Sequence, residues 1–188
     1  FDLIVPFQAG FRNIVAALGT ALTEAQLGLI ARFTKRVTFI FDQDAAGLDA
    51  TVRSARLSEN LGFSVSSVTL PSGAKDPDEA VRGDKVAFTK AVEGSLPFYD
   101  YYLNLLKKNL KSGDIRQKRS VAEKFLTELS LLQNPMTRSH YLSVLASAVS
   151  MEVRTLEEVM HSLLKRGRST PTAFAKLKDS PVAGDVAA

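Results

Sequence analysis

A strand that ends on two carboxylates is the feature that most constrains this chain. From Arg36 to Gly47 the sequence reads RVTFIFDQDAAG. Val37 to Phe41 are all β-branched or aromatic, as in a buried strand, and Asp42, Asp44 and Gly47 follow as the pattern turns helical. Two acids therefore stand at the carboxyl end of a core strand. In open α/β sheets ligands bind at that edge, and paired carboxylates there suit a hard divalent cation, Mg2+ or Mn2+, that prefers oxygen ligands.

The neighbouring segments supply a sheet for this strand. Phe1 to Phe7 is apolar apart from Asp2, with Pro6 interrupting, so periodicity alone leaves strand and first helical turns open. Arg12 to Leu18 reads as a short buried strand. Thr23 is placed to cap a helix whose apolar positions are Ala25, Leu27, Ile30, Ala31 and Phe33. A second helix is expected from Ala45 to Asn60, closed by Leu61-Gly62, and a further strand from Phe63 to Leu70. Strands alternating with helices over short loops predict right-handed crossovers and a parallel sheet.

Beyond the last strand, Pro71 to Ala74 delivers a second acidic cluster, Lys75-Asp76-Pro77-Asp78-Glu79, so the two clusters can meet in one crevice. Capping is the alternative role for some of these acids. Asp44 is placed to cap the helix after it, and Asp76, with Pro77 and Glu79 following, has the makings of a capping box. Capping accounts for neither Asp42 nor Asp78, and the two roles stay open.

From Leu96 the pattern is helical only. Pro97 is expected to open a helix reaching Leu110, and stripes at Val121, Phe125 and Leu129, at Tyr141, Leu145 and Val149, and at Leu156, Met160 and Leu163 follow. The predicted fold class is α/β, a parallel sheet flanked by helices, followed by an all-α helical bundle. The expected units are residues 1–95, 96–166, and a linker or disordered tail over 167–188, where Pro, Ser, Thr, Ala and Gly accumulate.

The 188 residues contain no cysteine, which excludes disulfides, thiol nucleophiles and zinc–thiolate sites within them. No apolar run is long enough for a membrane span, and a secretory signal is not expected. The chain opens on Phe1 in mid-element, which predicts a fragment. Residues 1–95 carry 10 Lys and Arg against 11 Asp and Glu, whereas 96–168 carry 12 against 7. An acidic pocket beside a basic helical surface suits a nucleic acid, although basic helices are commonly just a solvated face. His140 and His161 lie far from the acids in sequence, and no nucleophile-elbow, Walker or dinucleotide-binding signature occurs. The aromatic run Phe98, Tyr99, Tyr101, Tyr102 can stack bases or fill a core.

Taken in order, Asp2, then AGFRNIVAALGTALTEAQ, VTFIFDQDAAG and LPSGAKDPDEAVR, resemble the Toprim segment of the bacterial replicative DNA primases, the DnaG type. SLPFYDYYL at 95–103 and NPMTRSHYLSVLASAVSMEVRTLEE at 134–158 are similar to the helical part of that family's polymerase domain. The resemblance implies a DNA-templated RNA polymerase that makes short primers, with a single-stranded DNA template, an RNA primer and nucleoside triphosphates as partners. It implies a replicative helicase partner through a domain outside this chain, and a bacterial cytoplasmic setting. By matching motifs it assigns Asp2, Asp42, Asp44, Asp76 and Asp78 to Mg2+ or Mn2+, with Asp42 and Asp44 catalytic. It also favours a helical start near Phe1 and Asp2. The family's first-motif glutamate would fall just before Phe1, and its zinc-binding and basic polymerase parts lie outside the chain, so the 188 residues alone are expected to be inactive. The alternatives are another Toprim phosphoryl-transfer enzyme, nuclease or topoisomerase-like, and a non-catalytic nucleic-acid-binding module.

Overall fold

The computed structural model describes residues 1–17, 22–40, 45–71, 73–108, 110 and 114–168. A short helix, α1 (Ile4–Gln8), opens the chain, its first turn closed by the Val5 N–H donating to the Phe1 carbonyl at 3.1 Å. Helix α2 (Glu24–Ile30) begins as its sequence dictates. The Thr23 hydroxyl accepts from the Gln26 N–H, and the Gln26 side chain accepts in return from the Thr23 N–H, a complete capping box.

Strand β1 (Arg36–Phe39) leads to α3 (Ala45–Asn60), which returns the chain to β2 (Ser64–Ser67). β1 and β2 are parallel in the register Arg36↔Ser64 to Phe39↔Ser67. The third strand of the sheet, β3 (Leu96–Pro97), is antiparallel to β2, pairing Leu96 with Ser67 and Pro97 with Ser66. The sheet is therefore mixed. Pro97, expected to open a helix, is the N-cap of the helix that begins at Phe98 and also closes this two-residue edge strand, a place where its missing N–H is tolerated. Two expectations fail at the edges. Residues 12–17 of the segment read as the strand Arg12–Leu18 form no strand, and Val15 is 72% exposed. An apolar run becomes a strand only where a neighbour takes up its hydrogen bonds and covers a face, and neither occurs here. The strand expected over Phe63–Leu70 is regular only at its centre.

After β2 come α4 (Pro77–Gly83) and α5 (Lys85–Glu93), then α6 (Phe98–Lys107), α7 (Ile115–Ser130), α8 (Pro135–Val149) and α9 (Val153–Arg168). Helices α7, α8 and α9 pack on one another. Their starts are set by local chemistry: Asp114 and Asn134 side chains each accept two backbone N–H groups, and Pro135 occupies the first position of α8. Residues 169–188 of the expected tail lie outside the described residues, while α9 continues to Arg168.

Two apolar clusters fill the interior. The larger joins Leu27, Val52, Ala55, Phe63 and Val65 of the α/β part to Phe98, Tyr99, Phe125, Leu145 and Leu156 of the helical part. Both sides of the expected boundary at residue 95 thus contribute to one core. Burial of an aromatic such as Phe125, which has no exposed surface, stabilises by about 3 kcal/mol relative to leaving it in water. The smaller cluster, Leu70, Ala80, Val81 and Phe88, is covered by Val5, Ala9, Phe11 and Ile40. It sits beneath the acid-bearing segments.

Candidate metal centre

The smaller cluster gathers the acid-bearing segments. Val5 and Ala9 come from α1 and its end, just after Asp2; Ile40 is the last described residue before Asp42; Ala80 and Val81 belong to α4, which opens on Asp76 and Asp78. Helix α1 packs directly on α4.

The acids themselves have distinct surroundings. Asp42 and Asp44 lie outside the described residues, bracketed by Ile40 and the start of α3 at Ala45. Asp2 is exposed, one residue before the N-cap of α1. Asp76 is half-buried and caps α4, its Oδ1 accepting the Glu79 N–H at 2.7 Å. Glu79 Oε2 accepts from the Lys75 N–H at 3.1 Å, so it reaches one residue further back than a capping box requires. Asp78 Oδ1 takes the Arg82 Nε at 2.5 Å across one helical turn. Among the described residues, no group of three or more His, Cys, Asp or Glu could hold a metal ion. Asp76 and Asp78 carry oxygen donors of the kind that Mg2+ favours, but each has local work.

The other candidates resolve toward structure. His140 and His161 are exposed, His140 lying edge-on to Tyr141 with ring centroids 5.0 Å apart. Phe98, Tyr99 and Tyr102 are buried and packed around Phe125, so they fill the core and are not available to stack bases. Burial raises the Tyr99, Tyr102 and Tyr141 hydroxyl pKa values, Tyr102 to about 12, with the nearby Glu128 and Asp49 charges adding to the effect there. Tyr141 also donates a 3.0 Å hydrogen bond to Asp100.

Sequence reasoning passed over a cleft between α3, α6 and α7. Asp49, Val52, Arg53, Arg56, Tyr102 and Glu128 line about 240 Å³ there. Its α3 residues recur at helical spacing, the one local signal that could have marked them.

Comparison with known proteins agrees with this architecture. A family model described as Toprim-like matches residues 1–81. A DNA primase of Enterococcus faecalis is 32% identical over 171 residues, which is 89% of this chain and 27% of that protein. A DNA primase domain from Pseudomonas aeruginosa superimposes with a TM-score of 0.66 at 26% identity, covering 85% of this chain and 51% of that one. A DnaG primase catalytic domain bound to ssDNA gives 0.64 at 25% identity, covering 82% and 50%. The α/β part matches the Toprim-like class over residues 1–81. The chain is a relative of the bacterial DNA primases, matching the Toprim segment and following helices of their catalytic core. It spans about a quarter of the length of the curated relative and about half of the solved catalytic domains.

Proposed function

We propose that these residues form the metal-binding portion of a DNA-dependent RNA polymerase that synthesises short RNA primers for DNA replication. The supporting observation is that Val5 and Ala9, Ile40, and Ala80 and Val81 share one apolar cluster, and these residues lie close in sequence to Asp2, to Asp42 and Asp44, and to Asp76 and Asp78. These five carboxylates would hold Mg2+ or Mn2+. The bound ion supplies charge neutralisation at nucleotide phosphates during attack of a primer 3′-hydroxyl.

The chain's own part is positional. Asp42 and Asp44 serve as the central ligands because in sequence they lie between the half-buried edge strand β1 and α3. Asp76 fixes the start of α4, and Arg82 orients Asp78. The partners are a single-stranded DNA template, an RNA primer and nucleoside triphosphates, with a replicative helicase engaged through other parts of the whole protein, in the bacterial cytoplasm. One solved neighbour at this fold is described with ssDNA bound. Residues 1–95 and 96–166 act as two units on a shared core. Because the chain spans only about half of the solved catalytic domains, primer synthesis by the 188 residues alone is not expected. A topoisomerase-like reaction would need an accessible tyrosine; Tyr99, Tyr102 and Tyr141 are buried, and Tyr101 is half-buried.

Manganese titration followed by electron paramagnetic resonance tests the proposal. Wild type should bind Mn2+, and Asp42→Asn/Asp44→Asn should lose most of that binding while keeping the helix cap, since asparagine caps as well as aspartate. Equal binding by both proteins would leave capping as the role of Asp44 and overturn the metal assignment.

A further inference from the structure

We infer that the corner where α6 ends and α7 begins is a second nucleic-acid contact, a phosphate-binding surface separate from the metal centre. The inference rests on the polymerase reading for the identity of the polyanion, and on local charge for its position. Between Lys107 and Lys124 the described residues include six cations, Lys107, Lys108, Arg116, Lys118, Arg119 and Lys124, against two acids, Asp114 and Glu123. That surplus of four equals the net charge of the whole chain. Both acids are occupied: Asp114 accepts the Arg116 and Gln117 backbone N–H groups at 2.9 and 3.1 Å, and Glu123 pairs with Arg119 at 2.8 Å. The other five cations have no ion-pair partner among the described residues.

Helix physics argues against this arrangement as a mere solvated face. Arg116, Lys118 and Arg119 fall in the first five residues of α7, and no acid lies in its first turn. Cations there oppose the helix dipole, and Arg116 and Arg119 repel each other three residues apart. A local rule broken at three positions, with only the Asp114 cap and the Arg119–Glu123 pair set against it, marks a surface shaped for something outside the fold. The something is anionic and external. A membrane is excluded because the apolar face of α7, Val121, Phe125, Leu126 and Leu129, is already buried in the core. Cations distributed over two helix ends suit the repeated charges of a nucleic-acid backbone.

Fluorescence anisotropy with a labelled oligodeoxythymidine of roughly 20 nucleotides, longer than a usual single-strand site, tests this in EDTA so that the metal centre plays no part. The full 188-residue chain should bind with steep salt dependence. Arg116→Gln/Lys118→Gln/Lys124→Gln should weaken binding at least about 10-fold and flatten the slope of log K against log salt by roughly 2, given about 0.7 per phosphate contact. The control Arg32→Gln/Lys85→Gln/Lys90→Gln, on exposed positions of the α/β part, should bind as wild type. No binding by wild type, or equal loss in both triple variants with unchanged circular dichroism, overturns the inference. Neither result touches the manganese titration, so the two proposals fail separately.

Discussion

Arg56 on α3 forms an ion pair with Glu128 on α7, across 72 positions of sequence and between the α/β part and the helical part. Both side chains are mostly shielded, at 22% and 16% exposure, which places the pair between a surface bridge and a buried one. Removing one partner leaves a poorly hydrated charge, so Glu128→Ala or Arg56→Met should each cost about 2 kcal/mol. The double variant should cost clearly less than the sum. Urea unfolding of the three proteins gives the coupling, and strict additivity would refute a direct interaction.

Alkaline pH should unfold the protein cooperatively through its aromatic core. Tyr102 is raised to about 12 by burial and by the Glu128 and Asp49 charges, and Tyr99 and Tyr141 are raised as well. In the unfolded chain tyrosine ionises near 10. Below pH 10 both states keep these protons, and the stability is intact. Above it the unfolded state loses protons that the folded state retains, so stability falls by about 4 kcal/mol per pH unit for the three together, up to about pH 12. Tyrosinate absorbance and loss of circular dichroism should rise in one step above pH 10. Ordinary titration of all the tyrosines with the fold intact would contradict this.

Where local chemistry decides an element, the chain announces it. Helix α3 runs from Ala45 to Asn60, as its apolar spacing predicts, and Asn134-Pro135 marks the start of α8 by a cap and a fixed φ. Strand pairing is different, because it depends on what lies alongside. Arg12–Ala17 has the composition of a strand and forms none, while Leu96–Pro97, which does lead into α6 at Phe98, also pairs with β2, and no local signal marks that pairing. The site divides in the same way. The cap at Asp76 is written in four consecutive residues, but the Arg56–Glu128 link has no local signature, and neither does the cleft that it lines.

Glu59 offers a substitution that should stabilise. Desolvation raises its carboxyl pKa, while a backbone hydrogen bond from Val65 partly offsets that effect. A raised carboxyl pKa means that the folded state resists the charge: the favourable contribution is present below the ordinary value of 4.5 and is lost as pH rises through it. At pH 7 Glu59→Gln removes the penalty and keeps an oxygen to accept from Val65. The variant should show a higher urea midpoint than wild type at pH 7 and no advantage near pH 3. A lower midpoint at pH 7 would indicate that the charge itself is needed.

Asp76 allows its structural role and the proposed metal role to be told apart within one residue. Its Oδ1 accepts the Glu79 N–H and secures the first turn of α4, the helix that packs on α1 beside Asp2. Asp76→Ala should cost about 1 kcal/mol, the usual value of a cap, whereas Asp76→Asn should keep nearly all of it. Metal affinity should sort the variants differently, because a neutral amide is a much poorer ligand than a carboxylate for a hard cation. Asp76→Asn should therefore match wild type in urea and bind Mn2+ several-fold more weakly. Arg82→Gln, which frees Asp78 from its ion pair, should leave stability within about 0.5 kcal/mol, as for most exposed pairs. If Asp76→Asn binds Mn2+ as wild type does, Asp76 is a cap alone, and the metal site contracts to Asp2, Asp42, Asp44 and Asp78.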